Sequence, residues 1–244
     1  MKTPLWICVV LLVVGTGMLS CDTEDDGSTP DIIELTFDFE ENEEGWTGGF
    51  ADLPEEGHDI YELEVDLSPI PEETNATGNS IRIQGNNRSD DLFMFLKKQI
   101  TGLSPSTTYQ IIYDIEIASQ YPEEAPGAGG SPGGSVFIKA GATAEEPIPI
   151  VEDQGGVNYL RMNIDKGNQS QEGADMINMG TVGIDGDEYK YELIQRSNED
   201  RRFSVTTDPD GNLWLIIGTD SGFEGLTVLY YNRIKVRLEK TRIL

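Results

Sequence analysis

The 244-residue sequence holds two cysteines and one histidine. Cys8 falls inside an apolar leader, so its removal leaves Cys21 as the single thiol and no intramolecular disulfide can form. The one imidazole, His58, sits in Glu55-Glu56-Gly57-His58-Asp59 and reads as a loop residue among acids. A zinc site would have almost no ligands beyond carboxylates. No G-x-S-x-G elbow and no G-x-x-x-x-G-K-[ST] loop occurs, which removes the common serine-hydrolase and phosphate-cradling arrangements. No catalytic residue is assigned. Basic residues are scarce as well. Lys plus Arg number 17 against 44 Asp plus Glu, for a formal charge of −27. No basic stripe is available for phosphates, so nucleic acid is excluded as a partner. The same charge repels anionic lipid surfaces, and membrane attachment would have to be covalent.

What is present begins with an export signal over residues 1–20. Lys2 gives a positive start, and Leu5 to Val14 form an apolar run too short to span a bilayer. Small residues follow from Gly15 to Ser20. Met18-Leu19-Ser20-Cys21 resembles a bacterial lipobox, which implies cleavage before Cys21 and acylation of that residue with palmitate-type chains. Asp22, Glu24, Asp25 and Asp26 resemble the acidic flank of Bacteroidota-type surface lipoproteins. That resemblance implies a lipid-anchored protein of the outer membrane facing the cell exterior. Residues 21–31 carry no apolar pattern and read as an acidic tether.

Residues 32–244 read as one β domain. Leu35, Phe37 and Phe39 alternate with polar residues, as do Tyr61, Leu63, Val65 and Leu67, and Ile81 and Ile83. Leu92 to Leu96 is a continuous apolar run, the pattern of a strand covered on both faces. Tyr109, Ile111, Tyr113, Ile115 and Ile117 share one side of a longer strand. Further strands are predicted at 136–140, 159–164, 189–194, 203–206, 213–218 and 227–238. Residues 121–135, rich in Pro and Gly, read as a mobile loop, and Asp208 to Asn212 as a hairpin turn. About eleven short strands with frequent turns predict an all-β sandwich of two antiparallel sheets, of jelly-roll type, as a single domain. Phe37-Asp38-Phe39-Glu40 with Gly45-Trp46, and Leu229 to Val236, resemble the first and last strands of carbohydrate-binding-module-like jelly rolls. Gly102 to Tyr109 resembles their turn into a middle strand.

Such jelly rolls carry many functions, and the site has to be argued from residues. In them a structural calcium joins the first strand to the last, and Glu40 and Asn232 match those positions. Trp46 is assigned to the core. Trp214, Tyr159, Arg161, Asn163, Arg82 and Gln84 lie opposite the core-facing residues of their strands. If those strands share the concave sheet, they form an aromatic and polar surface for a neutral glycan. The expected function is a non-enzymatic, lipid-anchored binding module. A carboxylate-dependent glycoside hydrolase and a structural component of the outer surface are the alternatives. Two segments stand out without an assigned purpose: the amide-rich loop 165–173, and Gly218 to Gly225.

Overall fold

The computed structural model describes residues 31–241. The expected leader, Cys21 as the expected acylation site, and all but the last residue of the expected tether lie outside the described residues. Fifteen strands follow one another: β1 (Ile32–Phe37), β2 (Thr47–Ala51), β3 (Leu53–Pro54), β4 (Glu64–Pro69), β5 (Asn79–Asn86), β6 (Leu92–Ile100), β7 (Thr108–Ser119), β8 (Val136–Thr143), β9 (Pro149–Asp153), β10 (Asn158–Met162), β11 (Met176–Thr181), β12 (Glu192–Ser197), β13 (Phe203–Thr206), β14 (Leu213–Ser221) and β15 (Leu226–Lys240).

They form two large antiparallel sheets and one small one. The seven-stranded sheet runs β12-β7-β15-β5-β4, with β1 also on β15 and β13 also on β7. The five-stranded sheet runs β11-β8-β14-β6-β2, and β3-β10-β9 form the third. From β5 to β8 each strand lies in the opposite large sheet from the one before, and β14 hands over to β15 in the same way. This alternation makes the sandwich a jelly roll, as expected.

Alternation along the strands builds the core. Leu92, Met94 and Leu96 of β6 pack between the large sheets with Ile111, Tyr113 and Ile115 of β7 and Leu215 and Ile217 of β14. Trp46 joins them, edge-on to Phe37 with ring centroids 5.5 Å apart. The intervening Phe93 and Phe95 point out of the sandwich, yet are buried in a second cluster with Ala51, Met162, Met176 and Ile216. The apolar run 92–96 is therefore covered on both faces, as its composition requires.

Several elements differ from the sequence reading. The strand expected at 189–194 lies at Glu192–Ser197, and Tyr61 closes a 3-10 turn before β4. Strands β2, β3, β9 and β11 were not predicted. The reason is clearest in β2, whose Gly48-Gly49 reads as a turn. A Cβ on Gly49 would stand 2.5 Å from the Phe95 ring, so glycine is what lets the strand close on an aromatic. The segment 121–135 is held by specific bonds. Pro122 bridges Ile184, and Ser131 Oγ donates to the Glu123 carbonyl while accepting from Gly134 N. Where β12 gives way to β13 along β7, buried Asn198 fills the gap. It accepts from Tyr113 N at 2.6 Å and donates to the Ile111 carbonyl at 3.0 Å. Asp208 accepts from Asp210 N and Asn212 N in a turn that carries the chain from β13 in one large sheet to β14 in the other, so it is not the hairpin expected.

Candidate functional site

The outer face of the five-stranded sheet carries ionised side chains where an apolar sheet would end. Lys139 on β8 is fully buried; its Nζ donates to the carbonyls of Lys166 at 2.6 Å and Gln171 at 2.5 Å. Asp220, at the end of β14, is also fully buried. Its Oδ2 accepts from Lys166 Nζ at 2.6 Å and from Gln169 N at 2.9 Å. These bonds strap residues 163–175 across the sheet, with Met162, Ile164 and Met176 packed on Phe93 and Phe95 beneath. Lys166 also pairs with Asp52 Oδ2 at 2.7 Å and stands 5.0 Å above the Phe93 ring. The amide-rich loop and the Gly218–Gly225 segment thus have a shared purpose: one is the strap, the other anchors it. In that second segment Asn87 Nδ2 also donates to the carbonyls of Ser221 and Phe223.

Beside the strap opens a cleft of about 380 Å³ lined by Asp91, Glu152, Arg161, Asp165, Lys166 and Asn168, among others. Arg161 reaches in from β10 and donates to Asp52 at 2.7 Å and Asp91 at 3.3 Å. Its guanidinium carbon lies 5.3 Å from the centre of the Tyr159 ring, a cation–π pair. One oxygen each from Asp52, Asp91 and Asp220 falls within 4.8 Å of the others. Burial raises the Asp91 carboxyl to about 7; Asp220 adds to this and Lys166 opposes it. Burial works against the charge on Lys166, but Asp220 and Asp52 outweigh it and raise that pKa. For Lys139 burial wins over Asp220 and lowers it. A second cavity, of about 350 Å³, lies at 54–56 and 156–158, where Asn158 donates to Glu55 at 2.8 Å.

The residues expected to form one glycan-facing surface do not share a sheet. Trp214 is on β14 in the five-stranded sheet, and Tyr159 and Arg161 are on β10 in the small sheet. Arg82 and Gln84 lie on β5 in the seven-stranded sheet, bonded to each other and, through Arg82, to Glu64 at 2.8 Å and Asp66 at 2.9 Å. Pairing between strands distant in sequence sets sheet membership, and alternation alone carries no information about it. Tyr159 and Arg161 lie together on β10. Asn163 is spent on the chain: it accepts from Ile148 N at 2.8 Å and donates to the Glu146 carbonyl at 2.9 Å. The Trp214 ring lies under Lys97 Nζ at 5.3 Å.

Glu40 and Asn232, expected to hold calcium, are bonded separately. Asn232 sits at a bulge between Tyr231 and Arg233, donating to Glu116 at 2.6 Å and accepting from Ser80 at 3.2 Å. Glu40 offers its backbone carbonyl to Asn79 Nδ2 at 2.9 Å. Both ends of the Asn232 amide are therefore engaged by protein groups. His58 donates from Nε2 to the Pro54 carbonyl at 2.7 Å, a structural role.

No family model matches the chain, and no curated protein does. Solved structures resemble it at low identity. The enzymatically active domain of tailspike protein 4 from bacteriophage CBA120 is 11% identical, with a TM-score of 0.35 over 81% of this chain. This chain spans 20% of that one. A xylan-binding domain from Paenibacillus barcinonensis is 12% identical, TM-score 0.38, over 85% of this chain and 95% of that one. The family 11 carbohydrate-binding module of a cellulosomal cellulase from Clostridium thermocellum is 11% identical, TM-score 0.36, over 85% and 95%.

Proposed function

We propose that this protein is a lipid-anchored, outward-facing module that binds a neutral glycan in the cleft beside the strap. The observation that carries the reading is the cation–π pair of Tyr159 with Arg161, whose guanidinium lines an open, polar-walled cavity. An aromatic face and a planar guanidinium are the groups that pack on sugar rings and donate to their hydroxyls. Both cations that line the cleft, Arg161 and Lys166, are paired with aspartates, which leaves no free positive charge there to draw in an anionic ligand. Anchoring rests on Cys21 and the lipobox-like residues before it.

A hydrolase is the second reading, favoured by one observation. Asp91, held near neutrality, lies with Asp52 in a group whose oxygens approach within 4.8 Å, close to the separation of a retaining carboxylate pair. Against it, Asp52 is only 3% exposed, and Arg161 and Lys166 bond its two oxygens. A nucleophile so capped has no path to a sugar carbon, and binding is the reading we favour.

The test is retention on immobilised β-glucan, xylan and mannan, with reducing ends assayed in parallel. Retention without new reducing ends, weakened at least tenfold by Tyr159→Ala or Arg161→Ala, is the expected result. New reducing ends would overturn the binding reading in favour of the second one. For the anchor, a palmitate analogue should label the wild type and not Cys21→Ala; equal labelling would remove it.

A further inference from the structure

Three buried carboxylate oxygens, Asp52 Oδ2, Asp91 Oδ1 and Asp220 Oδ1, accept no hydrogen bond; the first is held in an ion pair by Lys166 Nζ at 2.7 Å, which leaves Asp91 Oδ1 and Asp220 Oδ1 with neither donor nor cation. The other oxygen of each acid is occupied, Asp220 Oδ2 by Lys166 Nζ and Gln169 N, and Asp91 Oδ2 by Arg161. The two acids belong to one cluster of oxygens within 4.8 Å. Bare acceptors in a buried place cost more than a hydrogen bond returns, and the Asp91 and Asp220 carboxyls lie within hydrogen-bonding reach of each other, so something must stand between the two acids.

Charge decides what that is. Asp91 faces Asp220 from β14, Lys166 from the strap, Asp52 from the turn between β2 and β3, and Arg161 from β10. Lys139 on β8 lies behind Asp220. Three cations already match three carboxylates. A divalent ion would add two unbalanced charges to this enclosed group. A proton adds one, relieves the repulsion between the acids, and supplies the missing O–H···O bond.

We propose that Asp91 and Asp220 share one proton between their Oδ1 atoms, and that its loss loosens the strap over the cleft. Burial and the neighbouring Asp220 put the Asp91 carboxyl near neutrality, so the exchange falls at ordinary pH. Once both acids are ionised they repel. Asp220 is fixed by Lys166 and Gln169, whereas the Asp91 side chain is 22% exposed and follows a turn residue, Asp90, at φ 71°. Asp91 is therefore the member that moves. The adjoining Asp90 carbonyl accepts from Gln169 Nε2 at 3.3 Å, which carries the movement into the strap.

The test is carboxyl carbon NMR of the full chain with labelled aspartate, from about pH 5 to 9. One aspartate should titrate with a midpoint near 7, and its signal should be missing in Asp91→Asn. Amide exchange over 165–173, corrected for the intrinsic pH dependence, should be about threefold or more faster above the midpoint than below it. In Asp91→Asn it should be the same on both sides. The wild-type titration stands even if that variant folds poorly. No aspartate titrating between about pH 6 and 8 would overturn the proposal. So would a transition that persists in Asp91→Asn. Equimolar calcium moving the same signals would overturn it too, since an ion would then occupy the two oxygens.

Discussion

Lys139 Nζ stands 3.7 Å from Asp220 Oδ2, and neither side chain is exposed. The two come from neighbouring strands: Gly218 of β14 pairs with Lys139 of β8, and Asp220 lies two residues further along. A lysine so enclosed is tolerable because two strap carbonyls and a carboxylate surround its ammonium. The strap in turn hides the aromatic face of β6. Charge and apolar packing are interlocked here, and each depends on the other.

Lys139→Met should therefore destabilise the fold by about 3 kcal/mol, because it strips the buried Lys166 carbonyl and the part-buried Gln171 carbonyl of their donor and removes a cation from beside Asp220. Urea melts with unchanged slope would measure it. A loss under about 1 kcal/mol would mean that water replaces the ammonium freely.

Stability should fall as pH rises through the window set by Asp91. Its folded carboxyl is raised to about 7, so the folded state holds a proton that the unfolded state, with an ordinary aspartate of 3.8, releases. This contribution is fully present below the unfolded value and lost as pH climbs to the folded one. Denaturant melts across that range should show the decline levelling off above neutrality. Asp91→Asn should flatten it.

Asn198→Ala should cost about 2 kcal/mol, since Tyr113 N and the Ile111 carbonyl would both be left buried and unpaired. Amide exchange at Tyr113 should accelerate, with β15 on the other edge of β7 unaffected. Protection unchanged at Tyr113 would show that another group fills the gap.

Gly141→Ala tests the seat of the strap. An added Cβ would meet the Asp175 carbonyl at 2.0 Å, backbone against backbone, so the strap must lift. A stability loss of about 2 kcal/mol or more is expected, together with faster exchange at 165–175. A normal melt would place the strap less tightly than described.

The sequence disclosed those features that local patterning controls. The alternation from Tyr109 to Ile117 and the two-faced run from Leu92 to Leu96 follow from side-chain period alone, and Trp46 is in the core as composition suggests. Strand β2 was hidden because Gly48 and Gly49 carry turn chemistry, and their reason for being there lies far along the chain: Val65 presses on Gly48 and the Phe95 ring on Gly49. The cluster at the cleft was hidden for a related reason. Asp52, Asp91 and Asp220 are three acids among 44, brought together by pairings that no window of sequence contains. One local signal did exist. Lys139 interrupts the apolar run Val136 to Ala140 on the face opposite Val136, Ile138 and Ala140, and a lysine within so apolar a strand needs a buried partner.

Strand β15 pairs with β1, β5 and β7 over its fifteen residues. It is the seam that joins β12, β13 and β7 to β5 and β4, and it also seats the first strand. Until residue 240 is available, the larger sheet is two separate fragments and an unpaired β1. Acquisition of structure must then wait for β15, and a chain halted before it would expose long unsatisfied edges.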